Sequence, residues 1–137
     1  MAVLIDLRMP AKLESLGRLI GSLSNCAKAQ GFEQEKISRM ELAAEEALVN
    51  VFRYAYPEQP GDVEMICRLE GERLAIEIID SGIPFDATAM PVPEVTDGDH
   101  ERDPGGLGIF FIKKVVDEVR YRRENDRNIL TLIIQKD

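Results

Sequence analysis

At 137 residues, with 45% hydrophobic and 31% charged side chains, the chain has the size and composition of a soluble globular domain able to bury a core. A net charge of −8 excludes the basic footprint that nucleic-acid-binding and anionic-membrane-binding proteins use to hold phosphate, so neither partner is expected. Cys26 and Cys67 show neither metal-ligand nor redox spacing, no apolar run reaches membrane-spanning length, and no N-terminal run resembles a signal peptide; the reading is of a cytoplasmic protein with reduced thiols.

Val3, Ile5 and Leu7 alternate with Leu4, Asp6 and Arg8, which predicts a short strand ended by Pro10. From Lys12 the period becomes helical: Leu13, Leu16, Ile20, Leu23 and Ala27 form a stripe that should stop at Gly31. A second helix is predicted from about Ile37 to Ala55, burying Ile37, Met40, Ala44, Ala47, Leu48, Val51 and Ala55. Leu42 and Val49 point the other way, so this helix should be covered on more than one side. Glu46 and Asn50 lie one turn apart, away from the main apolar face. Such a pair either reaches solvent or caps a loop, or it has a function; buried polar groups without partners are costly.

Val63, Met65, Cys67 and Leu69, then Glu70-Gly71-Glu72, then Leu74 to Asp80 read as a β-hairpin. Asp80 shares the parity of Leu74, Ile76 and Ile78, which aims its carboxylate at the covered face. The plainer alternative is a strand-end carboxylate holding nearby amides. Residues 81–104 have no period and are broken by Pro84, Pro91, Pro93 and Pro104; a loop this long is usually functional or disordered. Gly105-Gly106-Leu107-Gly108 then opens a helix expected from Ile109 to Glu118. Its free amides suit an anion, although glycine clusters also serve as simple hinges. A last hairpin pairs Val119–Arg123 with Ile129–Ile134 across residues 124–128. The lone histidine, His100, excludes a Ser-His-Asp or Cys-His triad and a His-rich zinc site. Residues 1–137 are therefore expected to form a single α+β domain, a two-layer sandwich with three helices packed on one face of a mixed, mostly antiparallel sheet.

The ordered set Glu46-Ala47-Leu48-Val49-Asn50, Asp80-Ser81-Gly82-Ile83-Pro84-Phe85-Asp86, a long loop and Gly105-Gly106-Leu107-Gly108-Ile109 resembles the GHKL ATPase superfamily, from about Ile37 to Leu132. Within it the chain is most similar to the small bacterial anti-sigma-factor serine/threonine kinases. The resemblance implies ATP and Mg²⁺ as cofactors. Asn50 would be the metal ligand and Asp80 the acceptor for the adenine amino group, with Gly82 letting the backbone lie close to the base. Gly105, Gly106, Leu107 and Gly108 would serve the phosphates, Arg102 would touch phosphate or partner, and residues 81–104 would form the ATP lid. Glu46 would be the catalytic base. The implied partners are an anti-sigma-factor antagonist protein as substrate, a sigma factor, and a second copy in a homodimer. Pro84 departs from the second glycine of many members, and Arg53-Tyr54 stands where relatives often carry a histidine. The competing readings are a non-catalytic ATP-binding partner switch, a detached histidine-kinase ATPase domain, and an α+β domain without nucleotide. His100, in a loop, speaks against the histidine kinase.

Overall fold

The computed structural model describes residues 2–86, 88 and 108–137, of which 108–111 are described by their backbone alone. In chain order the elements are β1 (Ala2–Pro10), a 3-10 turn (Leu13–Ser15), α1 (Leu16–Ala29), α2 (Gln34–Tyr54), β2 (Asp62–Glu70), β3 (Arg73–Asp80), α3 (Gly108–Val115), β4 (Glu118–Glu124) and β5 (Arg127–Gln135). The strands form one five-stranded sheet in the order β1-β2-β3-β5-β4, antiparallel at every described pairing. The helices cover one face of it, giving the two-layer α+β architecture that the element order predicts.

The core is built where the two periods meet. From the sheet come Val63, Met65 and Cys67 of β2, Leu74, Ile76 and Ile78 of β3, and Leu130, Leu132 and Ile134 of β5. From α2 come Ile37, Met40, Ala44, Ala47, Leu48 and Val51, as the helical spacing predicts. Each large side chain buried here contributes about 1.5–3 kcal/mol. Burial also pushes the Cys67 thiol up to about 12, an inert group in the core.

Three expectations are corrected. In α1 the buried line is Leu19, Leu23 and Ala27, and Leu13 is exposed, because the 3-10 turn before Leu16 breaks the helical phase. The outer face of α2 is not fully covered, since Leu42 is exposed and Val49 only half-buried. The last helix stops at Val115 rather than Glu118: Asp117 N–H donates to Ile133 O at 2.9 Å, and Glu118 already pairs with Ile133 at the sheet edge.

The β4–β5 connection is also tighter than expected. Asn125 and Asp126 adopt φ 53° and 61°, the left-handed pair of a two-residue type I′ turn. Glu124 then pairs with Arg127, and Asn128 joins the ladder opposite Asp80. The other sheet face carries charge, with Glu77 held by Arg68 at 3.0 Å and Arg122 at 3.6 Å. Among the described residues, no helix is long and apolar enough to cross a membrane.

Candidate nucleotide site

Asp80 ends β3 at 4% exposure, in the register that pairs it with Asn128. Its Oδ1 accepts from Asn128 Nδ2 at 2.9 Å and from the Gly82 N–H at 2.9 Å. Burial pushes the carboxyl above its ordinary range; the Asn128 and Gly82 donors and the positive charge of Arg123 pull the other way. Asn128 is itself saturated. Besides Asp80 it donates to Ile83 O at 2.8 Å, and its Oδ1 accepts from Tyr121 Oη at 2.6 Å and the Phe85 N–H at 3.2 Å.

The segment after Asp80 is docked onto the end of α2. Ile83 N–H donates to Ala55 O at 2.9 Å. A Cβ at Gly82 would fall 2.1 Å from that same oxygen, so only glycine permits the approach. Arg123 Nη1 donates to Gly82 O at 2.8 Å, and Tyr56 Oη accepts from Ser81 N–H at 2.8 Å. Phe85 stacks on Tyr54, with ring centroids 5.2 Å apart at 28°.

The helix half is built differently. Asn50 faces the sheet at 2% exposure, and among the described residues neither its Oδ1 nor its Nδ2 has a hydrogen-bond partner. This corrects the expectation that the pair lies away from the buried face: Asn50 falls one helical turn beyond Ala47 and next to Val51, both core residues. Glu46 is half-buried, with Oε2 buried and unpartnered among the described residues. Burial raises its pKa, the neighbouring Glu45 raises it further, and Arg53 opposes both.

The two halves meet at one cavity of about 20 Å³ lined by Asn50, Asp80, Phe85, Tyr121 and Asn128. That is room for about one water. With the lining as it stands, that volume is too small for a purine ring. An amide oxygen such as Asn50 Oδ1 is a suitable ligand for a hard cation. Among the described residues no three His, Cys, Asp or Glu side chains gather as a metal cage. A Mg²⁺ held by Asn50 would thus take its other ligands from water and phosphate, which is its usual habit.

Of the residues singled out from the sequence, the structure brings Asn50 and Asp80 to one cavity, with Glu46 a turn before Asn50 and Gly82 anchoring the adjoining segment. Gly108 begins α3. Arg102, Gly105, Gly106, Leu107 and the 81–104 segment beyond its first residues lie outside the described residues. Sequence reasoning missed Asn128, Tyr121 and Arg123. Reading Asn125-Asp126 as a two-residue turn was the one signal that would have placed Asn128 on the ladder beside Asp80.

A profile of the histidine kinase-like ATPase domain matches residues 9–134. The chain is 25% identical, over 138 aligned positions, to the serine-protein kinase RsbW of Bacillus cereus (strain G9842), spanning 97% of this chain and 86% of that protein. The same figures hold for RsbW of Bacillus thuringiensis (strain Al Hakam). In three dimensions the chain resembles a crystal structure of RsbU and RsbW domains from Mycobacterium tuberculosis, with a TM-score of 0.66 at 16% identity, covering 96% of this chain and 32% of that one. It also resembles the histidine kinase domain of a blue-light activated histidine kinase from Erythrobacter litoralis, with a TM-score of 0.55 at 20% identity, covering 90% and 60% of the two chains. These two likenesses are of fold.

Proposed function

The chain belongs to the histidine kinase-like ATPase domain family, and on that footing we propose that it is an ATP-dependent serine/threonine protein kinase. Its substrate in this reading is an anti-sigma-factor antagonist, and by phosphorylating it the protein switches between that partner and a sigma factor. The curated relatives named serine-protein kinase, at 25% identity across almost the whole chain, support the reading. The observation that carries it is Asn50: a buried carboxamide with no partner among the described residues, facing the cavity that Asp80 also faces.

In this reading each residue acts by its own chemistry. Asp80 accepts a hydrogen bond from the 6-amino group of adenine, and Gly82 keeps the backbone close to the base. Asn50 turns its amide oxygen to Mg²⁺, which when bound to ATP neutralises charge on the phosphates. Gly105, Gly106, Leu107 and Gly108 offer amides to those phosphates, and Arg102 adds positive charge. Glu46 accepts the proton of the attacking hydroxyl as the new O–P bond forms and the bond to the ADP oxygen breaks. Its raised proton affinity suits that task.

The test is phosphate transfer from Mg-ATP to a candidate antagonist protein. Wild type should modify a serine or threonine hydroxyl, and Glu46→Ala should not, while still binding ATP. ATP binding without any transfer would reduce the protein to a nucleotide-dependent binding module. Failure of Mg-ATP to raise the melting temperature at saturating concentration would remove the nucleotide altogether.

A further inference from the structure

Asn128 lies outside every residue the resemblance assigns, yet it makes more side-chain hydrogen bonds than any other residue of the cavity. The direction of its amide follows from its neighbours. Oδ1 receives two donors, the Tyr121 hydroxyl and the Phe85 N–H, while Nδ2 faces two acceptors, Asp80 Oδ1 and Ile83 O. Flipping the amide would set an acceptor against the Ile83 and Asp80 oxygens and a donor against the Phe85 N–H. In this arrangement Asn128 shows Asp80 a donor.

This constrains Asp80. Its Oδ1 is committed to two donors, Asn128 Nδ2 and the Gly82 N–H. The carboxyl cannot rotate without breaking both, and among the described residues Oδ2 is left to meet whatever enters the cavity. The other groups around Asp80 are Arg123 from β4 and the Tyr56 phenol after α2. Across the adjoining polar depression of about 240 Å³ stand Arg8, Asp62, Glu64 and Arg127. None of these is hydrogen-bonded to either oxygen of Asp80 among the described contacts, so rotation is controlled by Asn128 and Gly82.

We propose that Asn128 is a positioning residue that pins the Asp80 side chain by Oδ1 and thereby sets the selectivity of the cavity for 6-aminopurine over 6-oxopurine nucleotides. The proposal rests on the nucleotide reading above. A pinned carboxylate offers an acceptor, Oδ2, which pairs with a 6-amino donor and repels a 6-oxo acceptor. Inosine triphosphate differs from ATP at this edge of the base and has no 2-amino group, so it is the cleanest probe.

The lock makes an unusual prediction for Asp80→Asn. The substituted side chain keeps an oxygen for the two donors, so its new NH₂ group must point at the base and donate to a 6-oxo group. Wild type should favour Mg-ATP over Mg-ITP by about a hundredfold or more. Asp80→Asn should invert the ratio in favour of ITP. Adding Asn128→Ala should abolish the inversion, because the freed amide rotates; the two nucleotides should then bind within about threefold of each other. Asp80→Asn with Tyr121→Phe, which loosens Asn128 while leaving its contact with Asp80, should fall between.

Equilibrium binding of both nucleotides to these variants decides the matter, and a residue with only a structural role would weaken both nucleotides alike. Retention of the inverted ratio when Asn128 is removed would overturn the proposal. If the double variant with Asn128→Ala does not fold, an unchanged ratio in the Tyr121→Phe double variant overturns it instead. Failure of wild type to bind either nucleotide is a different result: it rejects the nucleotide reading itself.

Discussion

The two halves of the cavity are polar in opposite ways. On the strand side, Asn128 is buried with both amide atoms bonded and Asp80 Oδ1 holds two donors, which ties the pair to each other, to Gly82 and Ile83, and to Tyr121 and Phe85. On the helix side, Asn50 is buried just as deeply, and among the described residues neither its amide atoms nor a buried oxygen of Glu46 has a partner. A satisfied network adds to stability; an orphaned one subtracts from it, by about 1–3 kcal/mol for each buried group left unpaired. The strand half is therefore fixed by the protein's own bonds with one acceptor, Asp80 Oδ2, left over, whereas the helix half bears a cost that a bound cation and phosphates would offset.

The contrast can be tested first where its effect is largest. Glu46→Gln keeps the shape and removes the charge, so phosphate transfer should fall by about 10²- to 10⁴-fold in a single-turnover assay. ATP affinity should hardly change and the free protein should melt no lower than wild type. The sign follows from the raised pKa of Glu46: the native carboxyl holds its proton more tightly than the unfolded one. Ionising it therefore opposes folding as the pH rises from the ordinary glutamate range through the raised native value. Any gain in melting temperature should accordingly be seen at neutral pH and close on acidification.

The next test sets two asparagines against each other. Asn128→Leu strips four hydrogen bonds and strands the groups that made them, which should cost about 2–4 kcal/mol in a urea titration. Asn50→Leu removes two polar atoms that have no partner among the described residues, so the apo protein should be as stable as wild type or more so, while the extra stabilisation by Mg-ATP disappears. Equal losses from the two substitutions would erase the distinction between the halves.

A smaller effect is expected at the seam. Gly82→Ala drives a Cβ toward Ala55 O and must shift either the end of α2 or the segment after Asp80. We expect a loss of about 1–3 kcal/mol, with ATP affinity falling alongside because Asp80 loses the Gly82 donor. The smallest effect is electrostatic. Glu45 raises the pKa of Glu46, so Glu45→Gln should move the acid limb of the transfer rate to lower pH without changing its plateau. A limb that stays in place would mean that another group controls it.

Much of this was legible in the chain. The core face of α2 follows from its apolar spacing, and the β2–β3 hairpin from its alternation, because both depend on neighbours within a turn or a pleat. Asp80 was read correctly as facing the covered side, since strand parity is a local property. The exposed Leu13 and Leu42 were misread because a 3-10 turn changes the helical phase, and because apolar character alone does not say whether a second layer exists.

By itself the sequence determined most of the elements and the α+β layering, and it singled out Glu46, Asn50, Asp80 and the glycines as the candidate residues. Only the tertiary structure decided that Asn50 is buried without a partner among the described residues and that Asn128 stands across from Asp80. The reason is range. Periodicity records which side a residue turns to its own element's neighbours, but residues 50, 80 and 128 meet through strand pairing and helix packing. Their hydrogen-bond partners are therefore set by a type I′ turn and a β3–β5 register that no local pattern states.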